Sequence, residues 1–172
     1  MITAEQLHQI LPHAKSRVDM FLQPLNDAMD EFGIDTPQRQ AAFLAQIAHE
    51  SGELRYVREL ASGKAYEGRS GLGNVVAGDG VRFKGRGLIQ ITGRANYASC
   101  GSALELDLLA TPELLETPEN ACRSAAWYWK AHGLNELADA GNFHKITLRI
   151  NGGLNGYEDR LKYWELAKEA VA

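Results

Sequence analysis

Apolar residues recur at helical spacing towards both ends of the chain, with a glycine-rich stretch between them. Across residues 17–32 they follow a period of about 3.6, which predicts a helix that Pro24 bends or splits. Thr36 and Pro37 are a typical N-cap and first-turn pair, so a second helix is expected to begin there and to stop near Gly52.

The C-terminal part carries three more helical patterns, each with its own boundary signal. Thr117 precedes a proline and opens a helix that is expected to end near Gly133. Asn142 is a candidate cap for a helix through Ile150, and residues 156–170 predict the last helix.

The middle of the chain predicts an irregular region beside a short β element. Residues 62–87 contain eight glycines, too many for regular structure and suited to a long ordered loop. The next segment, "GLIQITG", has the alternation of a short strand, with Leu88, Gln90 and Thr92 on one face and two isoleucines on the other. The expected fold class is mainly α with a small β element.

Length and composition favour one domain over residues 1–172. The chain has 45% apolar and 23% charged residues, which is ordinary for a globular protein with its own core. No signal-peptide pattern and no run of 18 apolar residues is present, so we expect a cytoplasmic protein with no stable membrane association. Cys100 and Cys122 are expected to be reduced and buried.

A net charge of −4 is unfavourable for binding a polyanion, so no nucleic-acid partner is expected. Eight basic residues nevertheless fall within one stretch of 40 positions, against three acidic ones. They are Arg55, Arg58, Lys64, Arg69, Arg82, Lys84, Arg86 and Arg94. The stretch is either a solvated loop of mixed charge or a positive groove for a substrate with carboxylates, and charge alone does not separate the two.

The stretch "AAFLAQIAHESGELRYVREL" places a carboxylate at the end of an apolar helix. A zinc-protease helix would need a second histidine where Glu53 stands, and the next histidine downstream is His132, so that interpretation fails. Glu50 shares the apolar face of the helix, which favours the neutral carboxyl of a general acid. Alternatively, Glu50 hydrogen-bonds the backbone or His49.

Glu59 follows nine residues later and is the candidate partner of that acid. The neighbouring Arg55 and Arg58 favour its ionised form. One protonated and one ionised carboxyl make up the arrangement used in glycoside hydrolysis. Glu59 could equally be an ordinary surface residue, and Glu67 and Glu53 are competing candidates for the base.

Polar side chains near the predicted strand could bind a glycan and a water molecule. Gln90 and Thr92 share one strand face, and a threonine hydroxyl can both donate to and accept from a water. Asn96 and Asn151 offer amide groups of the kind that recognise N-acetyl groups. The aromatic residues 127–129 could stack on sugars, although Trp127 and Trp129 are better explained as core.

Four motifs together resemble one enzyme family. "AAFLAQIAHESGE", "FKGRGLIQITGRANY", "SAAWYW" and "INGGLNGYEDR" occur in the order and spacing of glycoside hydrolase family 19, over roughly residues 35–165. Within that family the chain is most similar to compact phage and prophage endolysins. The resemblance implies a lysozyme-like α+β fold, a helical bundle around a cleft with a small β-hairpin and a long glycine-rich loop.

The resemblance also implies roles for individual residues. Glu50 matches the general acid, Glu59 the general base and Thr92 the residue that orients the attacking water, with Glu67 as an alternative base. The implied substrate-binding residues are Gln90, Asn96, Tyr97, Asn151 and Arg160, the last of these near the base. Where the family usually has "HESGG", this chain has Glu53, which is expected to add a carboxylate at the cleft edge.

The expected function is that of an endolysin, a lysozyme that hydrolyses β-1,4 bonds of bacterial peptidoglycan with inversion. Its partner is the peptidoglycan strand, without a metal or organic cofactor and without a separate wall-binding domain. The resemblance implies a monomer that waits in the host cytoplasm until a holin-type protein releases it to the periplasm and cell wall. The rival functions are a chitinase with the same chemistry and a non-catalytic glycan-binding module.

Overall fold

The computed structural model describes residues 1–172 and is built from nine α-helices. These are α1 (Ala4–Ile10), α2 (Arg17–Glu31), α3 (Pro37–Glu50), α4 (Asp79–Arg82), α5 (Arg94–Leu104), α6 (Pro118–Ala131), α7 (Leu134–Asp139), α8 (Phe143–Asn151) and α9 (Tyr157–Val171). Short 3-10 segments occupy Lys64–Tyr66, Ser70–Leu72 and Pro112–Glu116. The mainly α fold expected from the sequence is confirmed. No helix is both long enough and apolar enough to cross a bilayer.

Three of the predicted helix starts are confirmed by their cap geometry. The side chains of Thr36, Thr117 and Asn142 each accept a hydrogen bond from the backbone N–H three residues further on, at 3.2, 3.3 and 3.1 Å. Pro37 and Pro118 fill the first helical position, where a missing N–H costs nothing because that position has no helical acceptor.

Pro24 lies inside α2 without splitting it. A proline removes the hydrogen bond to the carbonyl four residues earlier, which here belongs to Met20. Met20 is 58% exposed, so this turn of α2 lies at the surface, and the helix continues through it.

The helices enclose two apolar cores. The larger contains 33 buried residues and is built around α3, which packs along α9, with Phe43 and Trp129 meeting edge to face at 5.3 Å. The smaller contains seven buried residues between α5 and the segments that flank it.

Cys122 belongs to the larger core and Cys100 to the smaller, and both thiols are free. Burial raises the pKa of the Cys100 thiol to about 12.

The strand predicted for "GLIQITG" is wrong, because the segment folds into a tight turn. Arg86 and Ile91 exchange two backbone hydrogen bonds across it, and β pairing is limited to isolated antiparallel bridges at Arg58–Arg86 and Arg86–Ile91. Leu88 is buried while Gln90 is exposed, so the two do not share a face. Gly87 causes the turn: its φ is +90°, and a Cβ there would lie 2.5 Å from the side chain of a serine on α6.

The long glycine-rich loop is ordered by its own side chains, as expected. The carboxylate of Glu67 accepts the backbone N–H groups of Gly78 and Gly80 at 2.8 and 2.9 Å. The guanidinium of Arg94 donates one hydrogen bond to each carboxylate oxygen of Asp79, at 2.8 and 2.9 Å. These contacts join two parts of the loop to each other and fix the loop beside α5.

Glu53 does not stand at the cleft edge, so that expectation is wrong. Its side chain is buried, with Oε1 accepting from the backbone N–H of His13 at 2.8 Å and Oε2 accepting from the hydroxyl of Tyr163 at 2.9 Å. The residue adopts a φ of +57°, which turns its side chain inwards after α3. Glu53 therefore ties the segment after α1 to α9.

Candidate active site

Glu50 is the last residue of α3, and a buried cation fixes its carboxylate. Its Oε1 lies 2.7 Å from Nη2 of Arg160, whose side chain is 1% exposed. The same guanidinium donates to Oε1 of Gln46 at 2.7 Å and to the carbonyl of Asn155 at 3.0 Å. The expected apolar surroundings of Glu50 are therefore only partial. Arg160 was expected near the base and in contact with substrate; it is instead buried against the candidate acid.

Asn151 is the last residue of α8 and supports this arrangement from there. Its Oδ1 accepts from the backbone N–H of Asn155 at 3.1 Å, and Asn155 in turn presents its carbonyl to Arg160. Asn151 is not among the residues that line the cleft or the groove described below. The "INGG" motif thus acts on Glu50 indirectly, through the buried guanidinium.

His49 is paired with α9 rather than with the neighbouring Glu50. Its Nδ1 lies 2.7 Å from a carboxylate oxygen of Asp159. Gly156, the N-cap of α9, has a φ of +70°, and any Cβ there would overlap the His49 ring. The glycine therefore allows the start of α9 to pack closely against the end of α3.

Glu59 is held by neutral donors rather than by the arginines beside it. Its Oε1 accepts from the backbone N–H of Gly85 and its Oε2 accepts from the hydroxyl of Tyr66, both at 2.9 Å. The guanidinium of Arg58 turns instead towards Glu116, at 3.5 Å. Glu59 itself is half-buried, because the glycine-rich loop covers one side of it.

The two candidate carboxyls face one open cleft of about 350 Å³. Its lining comprises Glu50, Tyr56, Arg58, Glu59, Leu60, Ala61 and Gln90. Glu50 is fixed from α9 and Glu59 from the loop, and neither accepts a hydrogen bond from the other's partners. Two independently fixed carboxyls across an open space can serve a substrate and a water at the same time.

A groove of about 280 Å³ adjoins this cleft, and Gln90 lines both. Its lining comprises Leu72, Gln90, Ile91, Thr92, Asn96, Trp127, Tyr128 and His132. Thr92 donates to the carbonyl of Gln90 at 3.2 Å, and Asn96 donates to the carbonyl of Thr92 at 2.8 Å. Gln90, Thr92 and Asn96 therefore lie on one surface, and Thr92 does not line the cleft that holds the carboxyls.

Trp127 and Trp129 have different environments, although both were expected in the core. Trp129 is fully buried, whereas Trp127 is half-buried and lines the groove with Tyr128. Tyr128 stacks on His132 at 3.9 Å, one helical turn further along α6. The groove therefore has an aromatic wall that can pack against sugar rings.

Two other predicted residues do not face the cleft. Tyr97, expected to bind substrate, is fully buried in the smaller core, where its hydroxyl bonds the Lys84 carbonyl and Arg86. Glu67, the alternative base, has both carboxylate oxygens occupied by loop amides, which lower its pKa. Neither is placed to meet a substrate.

The expected positive stretch is only partly available to a ligand. Arg82 donates to two backbone carbonyls, Arg86 pairs with Glu116 and Arg94 pairs with Asp79, so these three cations are structural. The other five basic residues remain on the surface of the loop and cleft, and Arg58 alone among them lines the cleft.

Sequence reasoning missed Tyr66, Tyr56 and His132, although it offered Tyr128 as a residue that could stack on sugars. The four-residue spacing of Tyr128 and His132 on a predicted helix could have indicated a shared face. No periodicity marks Tyr66, which lies in the irregular loop, so its contact with Glu59 needed the folded chain.

Comparison with known proteins gives the family of the chain. The family model described as chitinase class I, of the glycoside hydrolase 19 group, matches residues 33–138. A glycosyl hydrolase family 19 domain-containing protein of Haemophilus influenzae is 33% identical, over 95% of this chain and 94% of that protein. The chain belongs to glycoside hydrolase family 19. An endochitinase of Arabidopsis thaliana is 38% identical over 66% of this family 19 hydrolase.

Solved structures of the family share the whole fold of this hydrolase. A bacterial family 19 chitinase matches with a TM-score of 0.83 and 26% identity, over 99% of this chain and 95% of that one. Chitinase C from Streptomyces griseus matches with a TM-score of 0.82 and 25% identity, over 99% and 76%. The chain spans 38% of the length of the Arabidopsis endochitinase.

Proposed function

We propose that this family 19 hydrolase cleaves the β-1,4 bonds of bacterial peptidoglycan and acts as an endolysin. Family membership makes it a glycoside hydrolase rather than a non-catalytic glycan-binding module. The observation that carries the choice of polymer is Arg58, whose side chain is 61% exposed in the cleft that holds Glu50 and Glu59. Peptidoglycan carries carboxylates that a guanidinium can bind, whereas chitin is neutral.

In the proposed reaction, Glu50 and Glu59 act on opposite faces of one sugar. Glu50 gives its proton to the glycosidic oxygen as the bond from that oxygen to the anomeric carbon breaks. A water attacks the anomeric carbon from the other side and loses a proton to Glu59. The product is a reducing end of inverted configuration, which NMR at early reaction times would detect; retention would contradict the assignment.

The second candidate is chitin hydrolysis, and the relatives named as chitinases favour it. The chemistry at the two carboxyls would be the same.

The proposed endolysin would act as a monomer on the cell wall, after a holin-type protein releases it from the cytoplasm of the host.

The test compares two polymers with one protein. Wild-type enzyme should clear outer-membrane-permeabilised Gram-negative cells and release sugars from purified peptidoglycan much faster than from colloidal chitin. Arg58→Gln should lower the rate on peptidoglycan by about tenfold, as expected for one charge-assisted hydrogen bond, and leave the rate on chitin oligosaccharides nearly unchanged. Arg55→Gln removes an exposed arginine that does not line the cleft, and it should alter neither rate. Chitin cleaved faster than peptidoglycan by the wild type would decide for the second candidate.

A further inference from the structure

We propose that Tyr66 is a positioning residue for the general base, because its hydroxyl fixes Glu59 for attack by water. The inference rests on the proposed role of Glu59. The supporting geometry is specific: the phenol donates to Oε2 at 2.9 Å while the backbone of Gly85 donates to Oε1 at 2.9 Å. Two donors from different segments leave the carboxylate with one orientation in the cleft.

The donor is present throughout the working pH range. Burial, followed by the hydrogen bond to Glu59 and the charge of that carboxylate, raises the pKa of Tyr66 above the ordinary value for a phenol. The hydroxyl therefore stays protonated near neutral pH. A donated hydrogen bond stabilises the ionised carboxylate over the neutral carboxyl, and only the ionised form can accept a proton from water.

The loop is built to deliver this one hydroxyl. Tyr66 ends a short 3-10 turn, and its carbonyl accepts from the side chain of Asn74 at 2.9 Å. Asn74 also accepts from the backbone of Arg94 at 2.8 Å, which ties the loop to α5. The next residue after Tyr66 is Glu67, whose carboxylate accepts hydrogen bonds from the backbone amides of Gly78 and Gly80 on the other side of the loop. Glu67, which the sequence offered as an alternative base, thus fixes the loop next to Tyr66.

Two glycines allow the loop to close on itself around this anchor. Gly80 packs so tightly that a Cβ would lie 2.6 Å from the backbone nitrogen of Glu67. Gly63, at a φ of +88°, would place a Cβ 2.5 Å from the carbonyl of Gly80. The close packing on both sides of the 3-10 turn leaves Tyr66 little freedom to move away from Glu59.

Tyr66→Phe tests the proposal, with Tyr163→Phe as the matched control. Tyr163 also donates to a glutamate at 2.9 Å, but its partner Glu53 lies outside the cleft. For Tyr66→Phe we expect kcat to fall about tenfold with KM within about twofold, as for the loss of one hydrogen bond to a charged group. The acid limb of the pH profile of kcat/KM should move up by about one pH unit. Tyr163→Phe should lower the melting temperature and leave the acid limb in place.

Incorporation of 3-fluorotyrosine at position 66 gives a second test with the opposite sign. The more acidic phenol donates a stronger hydrogen bond, so the acid limb should move to lower pH. An unmoved acid limb in both variants, with folded protein, would overturn the role of Tyr66. Glu59→Gln separates the two proposals: if that variant stays active, the base assignment fails, whereas an inactive Glu59→Gln beside a normal Tyr66→Phe rejects the positioning role alone.

Discussion

At the residue scale, the molecule separates two glutamates by their partners. Glu50 accepts from a buried guanidinium that also donates to the buried Gln46, whereas Glu59 accepts from a backbone amide and a phenol. The first is part of the helical core and the second is part of a loop. Their roles can therefore be tested by separate substitutions that disturb different structures.

Glu50→Gln should abolish activity without unfolding the protein. The amide cannot supply a proton, and loss of general acid catalysis typically costs about 10²–10⁴-fold. The amide oxygen can still accept from Arg160, so no buried cation is left unpaired, as would happen in Glu50→Ala. Turnover and a melting curve measured together check this; a folded variant with most of its activity would contradict the role.

Glu59→Gln and Glu67→Gln should differ in a way that identifies the base. Glu59→Gln is expected to lose kcat by about 10²-fold or more, because no other carboxylate lines the cleft on that side. Glu67→Gln should cost about tenfold or less, by weakening the grip on the loop amides. Measuring kcat for both folded variants checks this; the reverse ranking would move the base to Glu67.

Sequence alone could nominate the two carboxyls but not their surroundings. Glu50 and Glu59 are nine residues apart, so their motif is local and visible. Arg160 lies 110 positions after Glu50, and no periodicity connects the two. Its burial is a property of the packed helices, which is why it was expected in the cleft and is found behind it.

At the element scale, the same division between local and distant causes explains which segments were predictable. Helices α3, α6 and α8 begin where their cap side chains predict, because a cap bonds an amide only three residues away. The turn at residues 86–91 depends on Gly87 packing against α6, which lies more than 30 positions further on. The alternation of apolar and polar residues within the seven residues "GLIQITG" could not show the contact between Gly87 and α6.

The glycine-rich loop should lose its order at acidic pH before the helices unfold. Backbone amides lower the pKa of Glu67, and the ion pair with Arg94 lowers the pKa of Asp79. The pKa of Glu67 lies below its ordinary value of 4.5 and that of Asp79 below 3.8. The stability that the two carboxylates contribute is therefore complete at any pH above these ordinary values. It is lost as the pH falls through the lower folded-state values.

Hydrogen exchange checks this loop prediction. The amides of Gly78 and Gly80 should lose protection as the pH falls below the ordinary range of a carboxyl, while those of α3 keep theirs. In Glu67→Gln the protection of these two amides should be weaker at neutral pH and should change less on acidification. Equal loss of protection in the loop and in α3 would contradict the prediction.

At the scale of the whole molecule, Glu53 joins the two ends of the chain to the helix that carries Glu50. Glu53→Gly would relieve a left-handed backbone, a gain of about 1–2 kcal/mol. It would also remove the acceptor of the buried Tyr163 phenol, at about 1–3 kcal/mol, and of the part-buried His13 amide, at about 0.5–1.5 kcal/mol. The losses are larger, so we expect a net destabilisation of about 1–2 kcal/mol. Urea unfolding checks this, and a stabilised variant would show that backbone strain dominates.

The half-buried position of Trp127 gives this hydrolase an optical signal of its own. The chain has three tryptophans; Trp129 is sealed in the larger core, and Trp164 stacks on Phe143 at 4.5 Å. Only Trp127 lines the groove, so its emission should respond when a glycan displaces water from the indole. In Glu50→Gln, which binds without turnover, a fluorescence titration would then report affinity directly, and Trp127→Phe would silence it.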